Sequence, residues 1–437
     1  MIFTFKDLGP IKEARIALDG LTVLTGLNDT GKSFISKAVY SVVKTINNAS
    51  QEEVYVLSER IEQVLRPMIL QSRAMEHQPL RAILNSIRFE LGRISRRVVA
   101  NSSAKFLKEV ESDLRFEIQN ASQIGSMPEE FSDANVSRVF EELLAIVTSS
   151  MDTEMMAKRY FDRIAVGQIF QKQINSLTRS TKTTILVEDS DESVVDLQID
   201  KNKTAVFKYQ AFNYQDATLI DSPIILQLSF FIRQSRVRPT IARSGAQANE
   251  GVPYYYLDLV SKLPSLPNSA PSLFSNDQIN IDSIIGGRFI YNEKNDTFVF
   301  RKSNGSEINL YNTASGVKSF GLLQLLANAG YISDSSVLII DEPEVHLHPK
   351  WEIEYAKLIC GLTKIGIPIL ISSHSPYLLR GIAVYAKQYE ISDKTKFYFG
   401  ERISELEGTV FNDVTNNLEV IFDKLAKPMQ HLMINDL

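Results

Sequence analysis

The chain has a single cysteine, Cys360, in 437 residues. That excludes an intramolecular disulfide and any cysteine-based zinc cluster. No apolar run approaches the roughly eighteen residues a membrane helix needs. The opening Met-Ile-Phe-Thr-Phe lacks a basic stretch ahead of an apolar one, so it reads as a strand and not as a signal peptide. A cytoplasmic location is the expectation. Positive charge is in short supply: the net charge is -5, which argues against a protein that coats nucleic acid over its whole surface. A local basic patch is still compatible with that balance. Apolar residues make up 44% and charged residues 23%, the texture of a globular chain long enough for one large or two ordinary domains. No internal repeat and no low-complexity tail is present.

Residues 2–8 alternate like a strand, and a second extended segment follows. LTVLT at 21–25 is a short apolar run ending in glycine. After a polar loop comes SFISKAVYSVVKTI, where Ile35, Ala38, Val39, Val42 and Ile46 fall at helical spacing. This strand–loop–helix order opens an α/β unit. From about 51 to 180 glycine becomes sparse. SERIEQVL, RAILNSIRFEL, AKFLKEVESDLRFEIQ, VSRVFEELLAIV and AKRYFDRIAVGQIFQKQI each read as an amphipathic helix, with breaks at Pro67, Pro79 and 125–133. Strand signals return at 183–220, a hairpin at 288–310, and a helix–strand–helix–strand–helix series at 313–385. One strand, KFYFGE, and a helix, NNLEVIFDKLAK, close the chain. The expected division is therefore residues 1–50 and 181–437 in an α/β head, with 51–180 inserted as a helical domain. The apolar spacing of the insertion makes no clean heptad over three repeats, so a coiled coil is open but not indicated.

Four motifs carry chemistry. Gly26-Leu27-Asn28-Asp29-Thr30-Gly31-Lys32-Ser33 fits G-x-x-x-x-G-K-[ST]. Such a loop wraps a phosphate with backbone N–H groups and ends at a helix N-terminus, which favours negative charge. Lys32 would reach the β- and γ-phosphates of ATP, and the Ser33 hydroxyl would ligate Mg²⁺. In SSVLIIDEPEVHLHP, 335–349, Asp341 ends a buried strand and is placed to hold Mg²⁺. Glu342 follows at once, as a carboxylate able to activate water. Alone, two acids at a strand end are common; beside an intact P-loop the functional reading prevails. In GIPILISSHSPYLL, 366–379, His374 sits just past another buried strand and is placed to contact the γ-phosphate. Ser315-Gly316 opens an amphipathic helix about twenty residues before the Asp-Glu strand, with Ser315 as the expected N-cap and Lys318 one turn on. His346 and His348 alternate around Leu347, and a metal role for them is the weaker reading.

These motifs, in this order, resemble the ABC-type ATPase heads of the RecF, SMC and OLD group, and most of all the AAA_15/AAA_21-type ATPases of bacterial defence loci. The likeness covers about 1–50 and 180–437 and leaves out the helical insertion. It implies an ABC/SMC-type P-loop head that binds and hydrolyses ATP with Mg²⁺. Gly26, Asn28, Asp29, Thr30, Gly31, Lys32 and Ser33 would bind nucleotide, Ser33 and Asp341 the metal, and Glu342 and His374 would be catalytic. Ser315, Gly316 and Lys318 would act on the nucleotide of a second copy, which implies a head-to-head dimer. ASGVK departs from the fuller LSGGQ of the group. Gln210 and Gln215 are the candidates for the group's Q-loop glutamine. OLD nucleases carry a TOPRIM domain after the head. The roughly sixty residues after His374 are too short for one and contain no Asp-x-Asp. Two-gene defence systems such as PARIS, with a TOPRIM effector, and Septu, with an HNH nuclease, therefore serve as the analogy.

Three roles follow, of which the defence reading is the first expectation and the others its alternatives. One is a defence ATPase that controls a separate effector, and another is a DNA-repair ATPase of RecF or SMC type. The third is a scaffold that uses ATP to set its oligomeric state. Arg88, Arg93, Arg96, Arg97, Lys105 and Lys108, and then Arg233, Arg236, Arg238 and Arg243, form basic clusters. Balance by Glu90, Glu109 and Glu111 favours solvated helix faces over a DNA groove, and no aromatic interleaving supports single-strand stacking.

Overall fold

The computed structural model describes residues 1–71, 104–123, 129–148, 152–175, 180–210, 213–237, 252–263, 280–292, 297–404 and 407–425. They divide into two compact units, residues 1–47 with 158–437, and residues 48–157.

The larger unit is built on an eleven-stranded sheet. Its strands are β1 (Ile2–Leu8), β2 (Ile11–Ala17), β3 (Leu21–Gly26), β4 (Lys182–Asp189), β5 (Glu192–Asp200), β6 (Lys203–Tyr209), β7 (Asp216–Ile220), β11 (Ser336–Asp341), β12 (Ile369–Ser373), β13 (Thr395–Ser404) and β14 (Gly408–Asp413). The order is β6-β5-β4-β1-β2-β14-β13-β3-β12-β11-β7. The stretch β13-β3-β12-β11-β7 is parallel. Pairing from β6 to β2 is antiparallel. The sequence explains the split. β3 and β12 are buried at every residue and β11 at all but the last, as strands covered on both faces must be. β1 instead alternates in burial, as antiparallel strands with one wet face do. A separate three-stranded sheet, β10-β9-β8, holds β8 (Gly287–Asn292), β9 (Thr297–Lys302) and β10 (Glu307–Asn309).

Helices α4 (Thr153–Tyr160), α5 (Ile225–Val237), α6 (Tyr254–Lys262) and α7 (Ile281–Ile285) precede the helix that begins at Ser315, and the last three have no counterpart in the sequence reading, which differs elsewhere as well. Helix α1 (Lys32–Gln71) runs for 40 residues and absorbs the expected SERIEQVL helix, with Pro67 inside it and not at a break. The segment AKRYFDRIAVGQIFQKQI belongs to the larger unit and not to the insertion, whose expected end at 180 moves to Ala157. It leaves α-helical geometry at Phe161 for a π-helical run to Ile169, and it packs on β6, where the Phe161 ring meets that of Phe207 at 5.6 Å in a tilted arrangement. β14, a strand absent from the sequence reading, pairs antiparallel with β13 and parallel with β2, so it joins the two halves of the sheet. The RAILNSIRFEL helix lies outside the described residues.

The smaller unit contains α2 (Ala104–Ser122) and α3 (Asp133–Thr148) with the distal part of α1. Its own core gathers Ile61, Leu65, Leu114, Phe131, Phe140 and Leu143. Arg115 ties α2 to α3 through Asp133 and Ser137 at 2.7 Å each. Among the described residues, no helix is long and apolar enough to cross a membrane.

Candidate functional site

The carboxyl ends of β3, β11 and β12 bring three of the four motifs to one edge of the sheet, where open α/β sheets place ligands. β3 ends at Gly26, and α1 begins at Lys32. The turn between them needs a left-handed backbone at Gly26 (φ +148°), Asp29 (+62°) and Gly31 (+93°). A Cβ on Gly26 would come within 2.9 Å of the Gly400 carbonyl, and one on Gly31 within 2.7 Å of Ile11. The loop is thus a tight cradle that side chains would fill. No acidic residue occupies the first turn of α1, so its N-terminal dipole is unopposed. Those features fit a polyphosphate.

Lys32 closes the cradle. Its Nζ donates to the carbonyls of Gly26 at 3.1 Å and Leu27 at 3.0 Å, and lies 3.8 Å from Glu342 Oε1. Burial lowers its pKa, against the pull of Glu342, Asp341 and Glu344. Thr30 is buried and donates through Oγ1 to the Leu27 carbonyl at 2.9 Å. Asn28 is exposed. Asp29 is exposed as well and pairs with Arg402 of β13 at 3.2 Å.

Asp341 ends β11, and its Oδ1 accepts a short hydrogen bond from Ser372 Oγ on β12. Glu342 then takes a left-handed conformation (φ +47°), with its N–H bonded to the Ser372 carbonyl at 3.1 Å. This turn carries the chain into a short 3₁₀ segment, Pro343–His346. Among the described residues, no group of three or more His, Cys, Asp or Glu side chains could hold a metal by itself.

β12 leads to His374, whose Nδ1 lies 3.5 Å from Glu342 Oε1. It also lies 3.3 Å from Glu344 Oε1, although neither contact has hydrogen-bond geometry. Glu344 is absent from the sequence reading and is the most buried acid of the cluster, its side chain 6% exposed. Its Oε1 accepts from Ser373 Oγ at 2.8 Å, His374 N–H at 2.7 Å and Ser375 N–H at 3.3 Å. Burial raises its pKa, and those hydrogen bonds oppose the rise. Its signal was an acid flanked by Pro343 and Val345, facing an ISSHS run with three small donors. Asp221, just past β7, was missed too: its Oδ2 accepts from Tyr256 OH at 2.8 Å, and burial raises its pKa, with Asp341 adding to the effect.

Helix α8 (Ser315–Asn328) is different. The cap is Ala314 and not Ser315, and it makes no side-chain capping bond. Ser315, the first helical residue, is exposed. Gly316 is packed so closely that a Cβ there would meet Trp351 at 2.8 Å. Lys318 is buried, which lowers its pKa.

Gln215 lies just before β7, at the amino end of the parallel strands, and Gln210 just follows the edge strand β6. Neither is at the carboxyl edge, so the structure does not bear out either as a site glutamine. His346 Nε2 contacts Ser222 Oγ at 3.2 Å, while His348 Nδ1 caps helix α9 (Pro349–Lys364). The two histidines thus serve separate local ends. Arg233 lies 5.3 Å from the Tyr291 ring and 5.7 Å from that of Phe298. Arg88, Arg93, Arg96, Arg97, Arg238 and Arg243 lie outside the described residues.

A family model described as AAA ATPase domain matches residues 3–379. The uncharacterized protein MJ1542 of Methanocaldococcus jannaschii is 28% identical over 158 residues, 35% of this chain and 18% of that protein. The Retron Vc95 probable ATPase of Vibrio cholerae is 30% identical over 138 residues, 29% of this chain and 26% of that protein. Both matches therefore span well under a third of the relatives' lengths. The SMC head domain from Thermotoga maritima aligns over 94% of this chain and 98% of its own, at 9% identity and a TM-score of 0.39. An Smc head domain with an extended coiled coil from Pyrococcus furiosus, bound to the C-terminal domain of ScpA, aligns over 97% and 98%, at 10% identity and a TM-score of 0.38.

Proposed function

Because the chain belongs to the AAA ATPase domain family and is thereby an ATP-hydrolysing enzyme, we propose that its ATP site is composite, with the P-loop of one copy closed by the α8 N-terminus of another. The observation that supports the P-loop half is the gathering of Lys32, Glu342 and His374, with contacts of 3.8 Å and 3.5 Å to Glu342, and the exposed, uncapped start of α8 supports the other half. In this reading Gly26, Asn28, Asp29, Thr30 and Gly31 cradle the phosphates, and Lys32 turns its ammonium from the loop carbonyls to them. Ser33 and Asp341 hold Mg²⁺, which supplies charge neutralisation on the phosphates when bound. Glu342 orients and deprotonates the attacking water, and His374 holds that water and the terminal phosphate. Ser315, Gly316 and Lys318 belong to the partner copy's site, where the uncapped N–H groups of α8 would meet the γ-phosphate.

Glu342→Gln tests this assignment. The variant is expected to bind ATP, to hydrolyse it at least ~100-fold more slowly and to accumulate as a dimer in ATP. Hydrolysis at the wild-type rate would remove Glu342 from the mechanism.

The output of the cycle is proposed to act on a second macromolecule. The motif order of RecF- and SMC-type heads supports DNA handling. The partial likeness to a protein named as a retron's probable ATPase supports the other reading, an ATPase that governs a separate effector in anti-phage defence, such as a TOPRIM or HNH nuclease. ATPase stimulation by DNA with a steep salt dependence selects the first. A protein that co-purifies only in ATP, with no DNA effect, selects the second.

A further inference from the structure

Glu344 sits where no reacting group needs a carboxylate, yet it makes the densest set of contacts at the site. Its side chain is 6% exposed, and Oε1 gathers the Ser373 hydroxyl and the N–H groups of His374 and Ser375 within 3.3 Å. The same oxygen lies 3.3 Å from His374 Nδ1. Two successive N–H groups and a hydroxyl on one oxygen fix the backbone of the β12 turn, and with it the root of the His374 side chain. Ser375 is anchored again from the other side, its hydroxyl bonded to Glu352 of α9. Glu344 follows the left-handed Glu342 by two residues, and both carboxylates converge on His374 Nδ1. Glu342 also lies 3.8 Å from Lys32 of the cradle, while Glu344 is the more buried of the two. The next residue, Val345, is 61% exposed, and His346 touches Ser222 beyond β7.

We propose that Glu344 is a positioning residue for hydrolysis, which holds His374 at its contact distance from Glu342 and ties it to the exposed Val345–His346 turn. This rests on the reading of Glu342 and His374 as the catalytic pair. Glu344 does not touch nucleotide; it acts through His374. An acceptor oxygen at this point is what the geometry demands, so an amide should substitute for much of it and a methyl group should not.

The test is a double-mutant cycle on the full chain, with ATP affinity and kcat measured separately. Glu344→Ala is expected to lower kcat about 100-fold, with ATP affinity within about threefold of wild type. Glu344→Gln should recover to within about tenfold of wild type, because its carbonyl accepts the same three donors. In a His374→Ala background, Glu344→Ala should cost little more. The histidine C–H resonances give a second readout: the His374 signal should shift and broaden in Glu344→Ala and stay sharp in Glu344→Gln. If Glu344→Ala unfolds, the isosteric Glu344→Gln and the resonance of His374 still decide. Full additivity with His374→Ala, wild-type kcat in Glu344→Ala, or loss of ATP binding in Glu344→Gln would each overturn the proposal. Wild-type hydrolysis in His374→Ala and Glu342→Gln would instead sink the underlying assignment, which is a separate result.

Discussion

The two ends that would meet at one nucleotide are prepared very differently. Around Lys32, Asp341 and Glu344, polar groups are buried and bonded to one another across three strands. At the start of α8, Ser315 is exposed, the cap makes no side-chain bond, and Gly316 is pressed against Trp351. A cluster bonded largely within its own chain, with Glu344 Oε2 and His374 Nδ1 left buried and unbonded, can be assembled before any ligand arrives. A helix N-terminus without a side-chain cap turns its first N–H groups to water or to a ligand. On the proposed reading, the difference separates a half-site assembled within the chain from one that meets a ligand held by another copy.

Lys32→Ala attacks the assembled half. It removes the ammonium that closes the cradle and should abolish measurable ATP binding, checked by calorimetry with and without Mg²⁺. Unchanged affinity would remove the P-loop from the account.

Asp216→Asn probes what stiffens that half. Asp216, on β7, bonds Lys44 of the P-loop helix at 2.6 Å and Lys262 at 2.7 Å. Lys262 lies on the helix Tyr254–Lys262, which also sends Asp258 to Lys44 at 2.8 Å. Both lysines are buried and Asp216 is half-buried, so removing its charge leaves the two ammonium groups to share the Asp258 carboxylate, at a cost of about 3–5 kcal/mol in unfolding free energy. The pH signature has a definite sign. The two lysines hold the Asp216 carboxyl below its ordinary pKa, against the cost of burial. Its contribution is therefore present above the ordinary carboxylate range and lost as pH falls through the lowered value. Wild type should lose stability steeply in acid relative to the variant. Parallel acid profiles would contradict this.

Ser315→Glu addresses the other half. A carboxylate at the α8 N-terminus suits the helix dipole and should leave folding intact. It repels phosphate, so ATP affinity of dilute protein should stay within about twofold, while hydrolysis falls roughly tenfold to 100-fold. Lost affinity in the isolated copy would mean that α8 serves its own chain's nucleotide.

Much of the fold and the P-loop half was legible because its signals are local. LTVLT followed by a glycine loop and a helical repeat is β3, cradle and α1 in consecutive residues, and VLIID and ILISS read directly as buried parallel strands. What escaped depends on contacts distant in sequence. β14 is six residues long and takes its place from β13 and β2. Glu344 is meaningful only beside Ser373, His374 and Ser375, about thirty residues on. Gln215 was attractive by type, and only the direction of β7 places it at the wrong end. The segment after 157 reads as one more amphipathic helix, yet Phe161 finds its partner, Phe207, on β6.

The composite site is tested most directly by mixing two inactive variants. Lys32→Ala keeps a sound α8 end, and Ser315→Glu keeps a sound P-loop. If ATP is sandwiched between copies, an equimolar mixture restores hydrolysis to roughly one quarter of wild type, since about half the dimers are mixed and each has one intact site of two. No recovery in a mixture shown to exchange subunits would contradict the account.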